Sequence, residues 1–114
     1  MLMLKVYVAG PYSQGNVNRN VRAALDVGAK ILCAGHTPFV PHLCHFWDIS
    51  HPMDYEDWMR WDMAWLEQCD IVLRLPGPSA GADREVARAR ELRKPVFEGL
   101  SEAFWRMLDQ GMDL

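Results

Sequence analysis

Two carboxylates stand in this chain where apolar residues are due. After Ser79, the residues Ala82, Glu85, Val86, Ala89 and Leu92 follow the i, i+3, i+4, i+7, i+10 spacing of one helix face, while Asp83, Arg84, Ala87, Arg90 and Glu91 fall away from it. Glu85 is therefore expected to turn inward. Asp62 repeats the situation in Tyr55–Gln68, on a stripe of Trp58, Trp61, Trp65, Leu66 and Cys69. A carboxylate on a core-facing stripe needs a partner or a task. Ser79 is a good N-cap, and the free amides of the helix behind it form a ready anion site. For either acid alone the plainer reading is a buried carboxylate satisfied by backbone amides or an arginine. Paired at a dry crevice beside an anion site, they suit N- or O-glycosyl transfer on a phosphorylated sugar. One acid would meet the oxocarbenium-like carbon and the other would handle the leaving group's proton.

The elements that must position them alternate regularly. Leu4–Ala9 reads as a buried strand closed by Gly10-Pro11, and Met1–Ala9 lacks the cleavage site of a signal peptide. The loop Gly10-Pro-Tyr-Ser-Gln-Gly15 is not a dinucleotide or P-loop fingerprint. It either lines a ligand pocket or simply connects strand to helix. Asn16 caps a helix with Val17, Val21, Ala24, Leu25, Gly28, Ile31 and Leu32 inward, stopped by Gly35. Thr37–Leu43, interrupted by Pro38 and Pro41, is an edge strand or its approach.

An irregular aromatic loop follows, carrying His42, Cys44, His45, Asp48 and His51; their spacing fits no standard metal pattern, so no metal is expected. Asp54 caps the Tyr55–Gln68 helix, where the tryptophan stripe predicts core or subunit interface. Ile71–Leu75 is a buried strand, Pro95–Glu98 a last one, and Ser101 caps a final helix with Ala103, Phe104, Met107 and Leu108 inward. This order predicts an α/β fold, a small doubly wound (flavodoxin-like or Rossmann-like) parallel sheet of four to five strands with helices on both faces. Ligands of such sheets bind beyond the carboxyl ends of the strands. That edge is expected to gather Gly10–Ser13, the loop near His42, Pro76–Ser79 and Gly99–Ser101.

The 114 residues suffice for one domain, and the net charge of −3 argues against a binder of nucleic-acid polymers or anionic membranes. No apolar run has the length of a membrane span. Three cysteines without a Cys-x-x-Cys suggest reduced thiols and a cytoplasmic protein.

Three segments carry a family resemblance: Lys5-Val-Tyr-Val-Ala-Gly-Pro-Tyr, Asp62-Met-Ala-Trp-Leu-Glu-Gln-Cys-Asp-Ile-Val-Leu, and Pro78-Ser-Ala-Gly-Ala-Asp-Arg-Glu with Lys94-Pro-Val. From Lys5 to Val96 the chain resembles the nucleoside 2-deoxyribosyltransferase superfamily, closest to its 2'-deoxynucleoside 5'-monophosphate N-glycosidases, with a looser match over His36–Trp58. The resemblance implies a single domain of that kind over residues 1–114, needing no metal or organic cofactor. It implies Glu85 as nucleophile on the anomeric carbon, Asp62 assisting proton transfer to the base, and Tyr7 beside the nucleophile. It further implies that Gly10, with Pro11, Tyr12 and Ser13, lines the nucleotide pocket, and that Ser79 meets the 5'-phosphate; Gly81 and His42 are further candidate substrate contacts.

Ser79 is the informative position, because transferases of unphosphorylated nucleosides tend to carry a carboxylate there, which would repel phosphate. The hydrolases place an arginine where this chain has Ser13, so Arg19 or Arg22 would have to help. In the family a neighbouring subunit completes the site. A homo-oligomer, dimer or higher, is therefore expected, with Ser101 as the candidate contribution. The expected activity is hydrolysis of the N-glycosidic bond of a (2'-deoxy)ribonucleoside 5'-monophosphate. The alternatives are base exchange by a deoxyribosyltransferase and a non-catalytic nucleotide-binding module.

Overall fold

The computed structural model describes residues 3–110; the first two and last four residues of the expected 1–114 domain lie outside them. Four strands, β1 (Lys5–Ala9), β2 (Thr37–Phe39), β3 (Ile71–Arg74) and β4 (Val96–Glu98), form one sheet in the order β2-β1-β3-β4, every pairing parallel. Five helices accompany them: α1 (Val17–Cys33), α2 (Cys44–Ser50), α3 (Tyr55–Leu66), α4 (Ala80–Glu91) and α5 (Glu102–Gln110). This is a doubly wound α/β fold. The chain leaves β1 for β2 on one side and crosses to β3 on the other, so the strand order reverses between β1 and β3.

The period-2 alternation of β1 sorts its side chains between two cores. Leu4, Val6 and Val8 pack with Ile31 of α1, Phe104 of α5, and Ile71 and Leu73 of β3. Tyr7 and Ala9 face the other way and pack with Leu66 of α3, Ala82 and Ala89 of α4, and Val72. Helices α1 and α5 thus cover one face of the sheet, α3 and α4 the other. Tyr7, Asp62 and Glu85 share that second face.

Four local expectations are corrected. The aromatic loop after Pro41 is instead a 3-10 turn, Pro41–Leu43, followed directly by α2. Its N-cap, Leu43, makes no side-chain cap bond, and Phe46, Trp47 and Ile49 are all exposed, so neither a cap nor an amphipathic stripe announced it. In α3 the buried residues are Met59, Asp62 and Leu66, not the tryptophans, and Trp65 is 47% exposed. The rings form their own half-exposed layer instead, with Phe39 against Trp61 and Trp65 and with Trp58 edge-on to Trp47 and Trp61. Asp54 occupies the N-cap position of α3 without a side-chain cap bond, and Leu32 of α1 is exposed while Val27 is buried in its place. No helix among the described residues is long and apolar enough to cross a membrane.

A buried cation fixes the turn from β3 into α4. Arg74 donates to the carbonyls of Leu75 at 2.5 Å and Gly77 at 3.1 Å, and to Asp83 Oδ1 at 3.0 Å. Gly77, at φ +114°, supplies the left-handed residue this turn requires, and a Cβ there would also meet Pro11 at 2.9 Å. Arg74→Met fills similar space but leaves the buried Leu75 carbonyl without its Arg74 donor and breaks the bonds to Gly77 and Asp83, so denaturant unfolding should register a loss of about 1–3 kcal/mol. The exposed Arg84–Glu56 pair provides the contrast: Arg84→Ala should cost under about 1 kcal/mol.

Candidate active site

A cavity of about 340 Å³ opens beyond the carboxyl end of β1 on the α3/α4 face. Its floor carries Asp62 and Glu85, which are 8% and 4% exposed. Glu85 reaches it because the buried face of α4 runs Ala82, Glu85, Val86, Ala89; Asp62 does so because α3 buries Met59, Asp62 and Leu66. Tyr7 is fully buried beneath them, and its hydroxyl donates to Glu85 Oε2.

Burial pushes the Glu85 carboxyl well above the ordinary glutamate range, and the neighbouring Asp62 charge adds to this; the Tyr7 hydrogen bond and the Arg74 charge oppose it. Burial likewise raises Asp62 to about 6, partly offset by Glu85. Tyr7 is held well above its usual value by burial and by both acids. The acids therefore behave as a dyad that retains a proton near neutral pH. Asp62 Oδ1 is buried without a hydrogen-bond partner.

The remaining wall comes from three segments. The loop after β1 contributes Gly10, Tyr12, Ser13 and Gln14. Asn20 pins it by donating to the carbonyls of Tyr12 at 2.9 Å and Gln14 at 2.7 Å. The segment after β2 contributes Pro41, His42, Cys44 and Asp48. His42, 3% exposed, donates from Nε2 to the Pro11 carbonyl at 3.0 Å, and burial lowers its pKa. The first turn of α4 contributes Ser79 to Ala82, where the Ser79 hydroxyl accepts from the Ala82 amide at 3.1 Å as the N-cap. Gly81 lets α3 come close: a Cβ there would lie 3.2 Å from the Tyr55 hydroxyl.

The sheet layer separates some expected neighbours. Gly10, Tyr12, Ser13, His42, Ser79 and Gly81 line the cavity, with Tyr7 beneath it. Pro11 instead lines a second cavity on the α1/α5 face, with Pro76, Gly99 and Leu100, and only its carbonyl reaches toward the site through His42. Arg19 and Arg22 are exposed on α1, and Ser101 caps α5 by accepting from the Phe104 amide at 3.2 Å; none of the three lines the cavity. Asp48, Trp58, Met53, Tyr55 and Met59 line it without having been foreseen as site residues. The one available signal was their density in an aromatic, His-rich stretch with no obvious structural role. Among the described residues no group of three or more His, Cys, Asp or Glu is placed to hold a metal ion, although the cluster from His42 to His51 is compositionally rich in such side chains.

The dyad has a consequence for stability. Asp62 has a folded pKa of about 6 against an ordinary value of 3.8, so across that interval the folded chain binds more protons than the unfolded one. Stability is then highest below the ordinary value and falls as pH rises through the folded one, with Glu85 acting in the same direction. Thermal unfolding followed from acid to neutral pH should show the midpoint declining over this window. Asp62→Asn should flatten the decline.

Residues 4–98 match the model of a domain of unknown function (DUF7768). No curated protein matches the chain. Among solved structures it is similar to a 2-desoxiribosyltransferase from Leishmania mexicana, at 17% identity and a TM-score of 0.61, over 83% of this chain and 63% of that one. The chain thus spans less than two thirds of that protein's length, and at this identity the likeness is one of fold. The match across nearly all of the sheet and both acid-bearing helices assigns the chain to the DUF7768 family, on a deoxyribosyltransferase-like α/β fold.

Proposed function

We propose that this protein hydrolyses the N-glycosidic bond of a (2'-deoxy)ribonucleoside 5'-monophosphate, with Glu85 as nucleophile and Asp62 as proton donor and acceptor. The observation that carries the reading is the buried dyad itself: two carboxyls on one cavity floor, each perturbing the other, with Tyr7 donating to one of them.

The roles follow from the asymmetry of their surroundings. Burial and the Asp62 charge raise Glu85 further than Asp62, so in the free site the shared proton rests on Glu85; the Tyr7 hydrogen bond and the field of Arg74 favour its ionised form, and the proton passes to Asp62 before the attack. In the first step a Glu85 oxygen forms a bond to the anomeric carbon as the carbon–nitrogen bond breaks. The bonding pair stays on the base nitrogen, and the Asp62 proton neutralises the departing base. In the second step a water attacks the anomeric carbon, its proton returns to Asp62, and Glu85 departs as carboxylate. Free base and sugar 5-phosphate are the products. The low exposure of both acids supports this chemistry, since the charge developing on the sugar meets carboxylates little screened by water.

The α4 N-terminus, where Ser79, Ala80 and Gly81 line the cavity, supports the phosphate. One observation favours a second reading. The cavity wall carries Asp48, Asp62 and Glu85 and neither lysine nor arginine, which suits an unphosphorylated nucleoside and base exchange, in keeping with the deoxyribosyl transfer for which the Leishmania protein is named. The exposed Phe46, Trp47, Ile49 and Trp65 support a homo-oligomer.

Base release from nucleosides and their 5'-monophosphates, with and without a second free base, tests these readings. Hydrolysis gives sugar phosphate whatever base is added; exchange gives a new nucleoside or nucleotide. Glu85→Gln should lower turnover more than about 10³-fold and Asp62→Asn about 10²–10⁴-fold. Release equal in parent and Glu85→Gln would leave only a binding module.

Ser79→Asp keeps a competent N-cap while setting a charge beside the phosphate. Two like charges about 4 Å apart repel by about 4 kcal/mol at an effective dielectric of 20. The KM for monophosphates should therefore rise about 100-fold or more while that for nucleosides changes little. Equal loss for both would remove phosphate from the α4 terminus.

A further inference from the structure

We infer that the wall of this cavity reads its ligand through a hydrogen-bond acceptor, Asp48, and so favours adenine and cytosine over their oxo counterparts, hypoxanthine and uracil. The inference rests on the glycosidase reading and names the substrate class within it.

The tautomer of His42 is determined by its surroundings. Nε2 faces the Pro11 carbonyl at 3.0 Å, and a carbonyl can only accept, so Nε2 carries the hydrogen. Burial keeps the ring neutral, which leaves Nδ1 as a bare lone pair. That atom is buried, has no partner, and belongs to a side chain lining the cavity. Nδ1 is itself closed off, however, so the acceptor open to a ligand along this wall is Asp48.

Asp48 is held in a fixed attitude. Its Oδ1 accepts from the Trp58 indole at 2.7 Å and from the Met53 amide at 3.0 Å, and these donors hold its carboxyl below the usual aspartate range. Its other oxygen is left for the cavity that Asp48 lines. Because the Trp58 N–H is committed to Asp48, the indole offers a ligand only its apolar ring, as a stacked base requires. Asp48, Cys44, Asp62 and Glu85 line the same cavity, so Asp48 and the dyad share one wall. A base anchored at Asp48 would leave its glycosidic bond toward the acids. An exocyclic amine satisfies the carboxylate, whereas a carbonyl in its place sets two acceptors against each other.

The experiment measures kcat/KM for dCMP against dUMP and dAMP against dIMP, and for the corresponding nucleosides. The wild type should favour the amine in each pair by at least about 10-fold. Asp48→Asn can keep Oδ1 as acceptor for Trp58 and Met53 while presenting an amide donor to the ligand, so it should narrow or reverse the ratio. Equal rates within each wild-type pair overturn the inference whether or not the variant folds, and so does a folded Asp48→Asn with an unchanged ratio. Calorimetric titration of the same compounds into wild type and Glu85→Gln separates the two claims. An amine preference in binding without base release sinks the glycosidase reading alone. Base release without preference sinks this one alone, and absence of binding overturns both.

Discussion

The fold turns on a bond between its first strand and its fourth helix, made inside the protein where charge is expensive. Tyr7 donates to Glu85 beneath the cavity floor, with Asp62 close enough to disturb the ionisation of both. Removing a carboxylate from water costs several kcal/mol unless it is paired or protonated. Here the cost is limited in two ways: the dyad retains a proton, and the Tyr7 hydroxyl donates to Glu85. An arrangement that only held the core together would be better served by apolar side chains. The retained acids, with Asp62 Oδ1 unpartnered, are what the proposed function explains.

Such a floor requires α3 and α4 to keep their rotation and separation. The contacts that ensure this are mostly solvated. Arg84 forms a fork onto both carboxylate oxygens of Glu56, at 2.8 and 3.2 Å, and lies over the Tyr55 ring. Arg88 reaches Glu67, and Lys94 donates to the Glu67 and Cys69 carbonyls just past the end of α3, at 3.1 and 2.6 Å. Exposed ion pairs add little stability, and a cation at a helix C-terminus only somewhat more. Their value is geometric: they tie the two helices at both ends of the shared seam. Arg74 supplies the matching constraint from below by fastening the β3–α4 turn to the first turn of α4.

Which parts of this were legible depends on whether they follow a period. The doubly wound order, the two cores and the inward turn of Glu85 follow from alternation in strands and a clean 3.6-residue stripe in α4. In α3 the stripe is ambiguous, because tryptophan is amphipathic enough to sit at a boundary; the rings chose a half-exposed aromatic layer, and Met59 took the core. Asp62 was nevertheless found on the inner face, since it lies between the two phases. Pro11, Pro76, Gly99 and Leu100 share the carboxyl edge with the site residues but sit on the opposite face of the sheet, a distinction that sequence order alone does not encode. Arg19 and Ser101 failed to reach the cavity for the same reason: α1 and α5 cover the other face.

The remaining gap is the segment between β2 and α3, which has neither a cap nor a stripe and yet forms much of the cavity wall. Its internal order comes from polar contacts between distant positions: His42 to Pro11, His45 to Tyr12, and Asp48 to Trp58 and Met53. Each ties the segment either to the loop after β1 or to the start of α3, so it is held by the frame without being periodic itself. The site therefore divides along physical lines. The acids stand on regular elements whose phase resists change, since a shift would bury them against the sheet or expel them to solvent. The wall around them rests on a few side-chain hydrogen bonds, each replaceable singly. Under the proposed function, reaction type is the property of the helices and ligand choice that of the segment from Pro41 to Trp58, so substitutions in that segment can alter which base is accepted while leaving the dyad as it is.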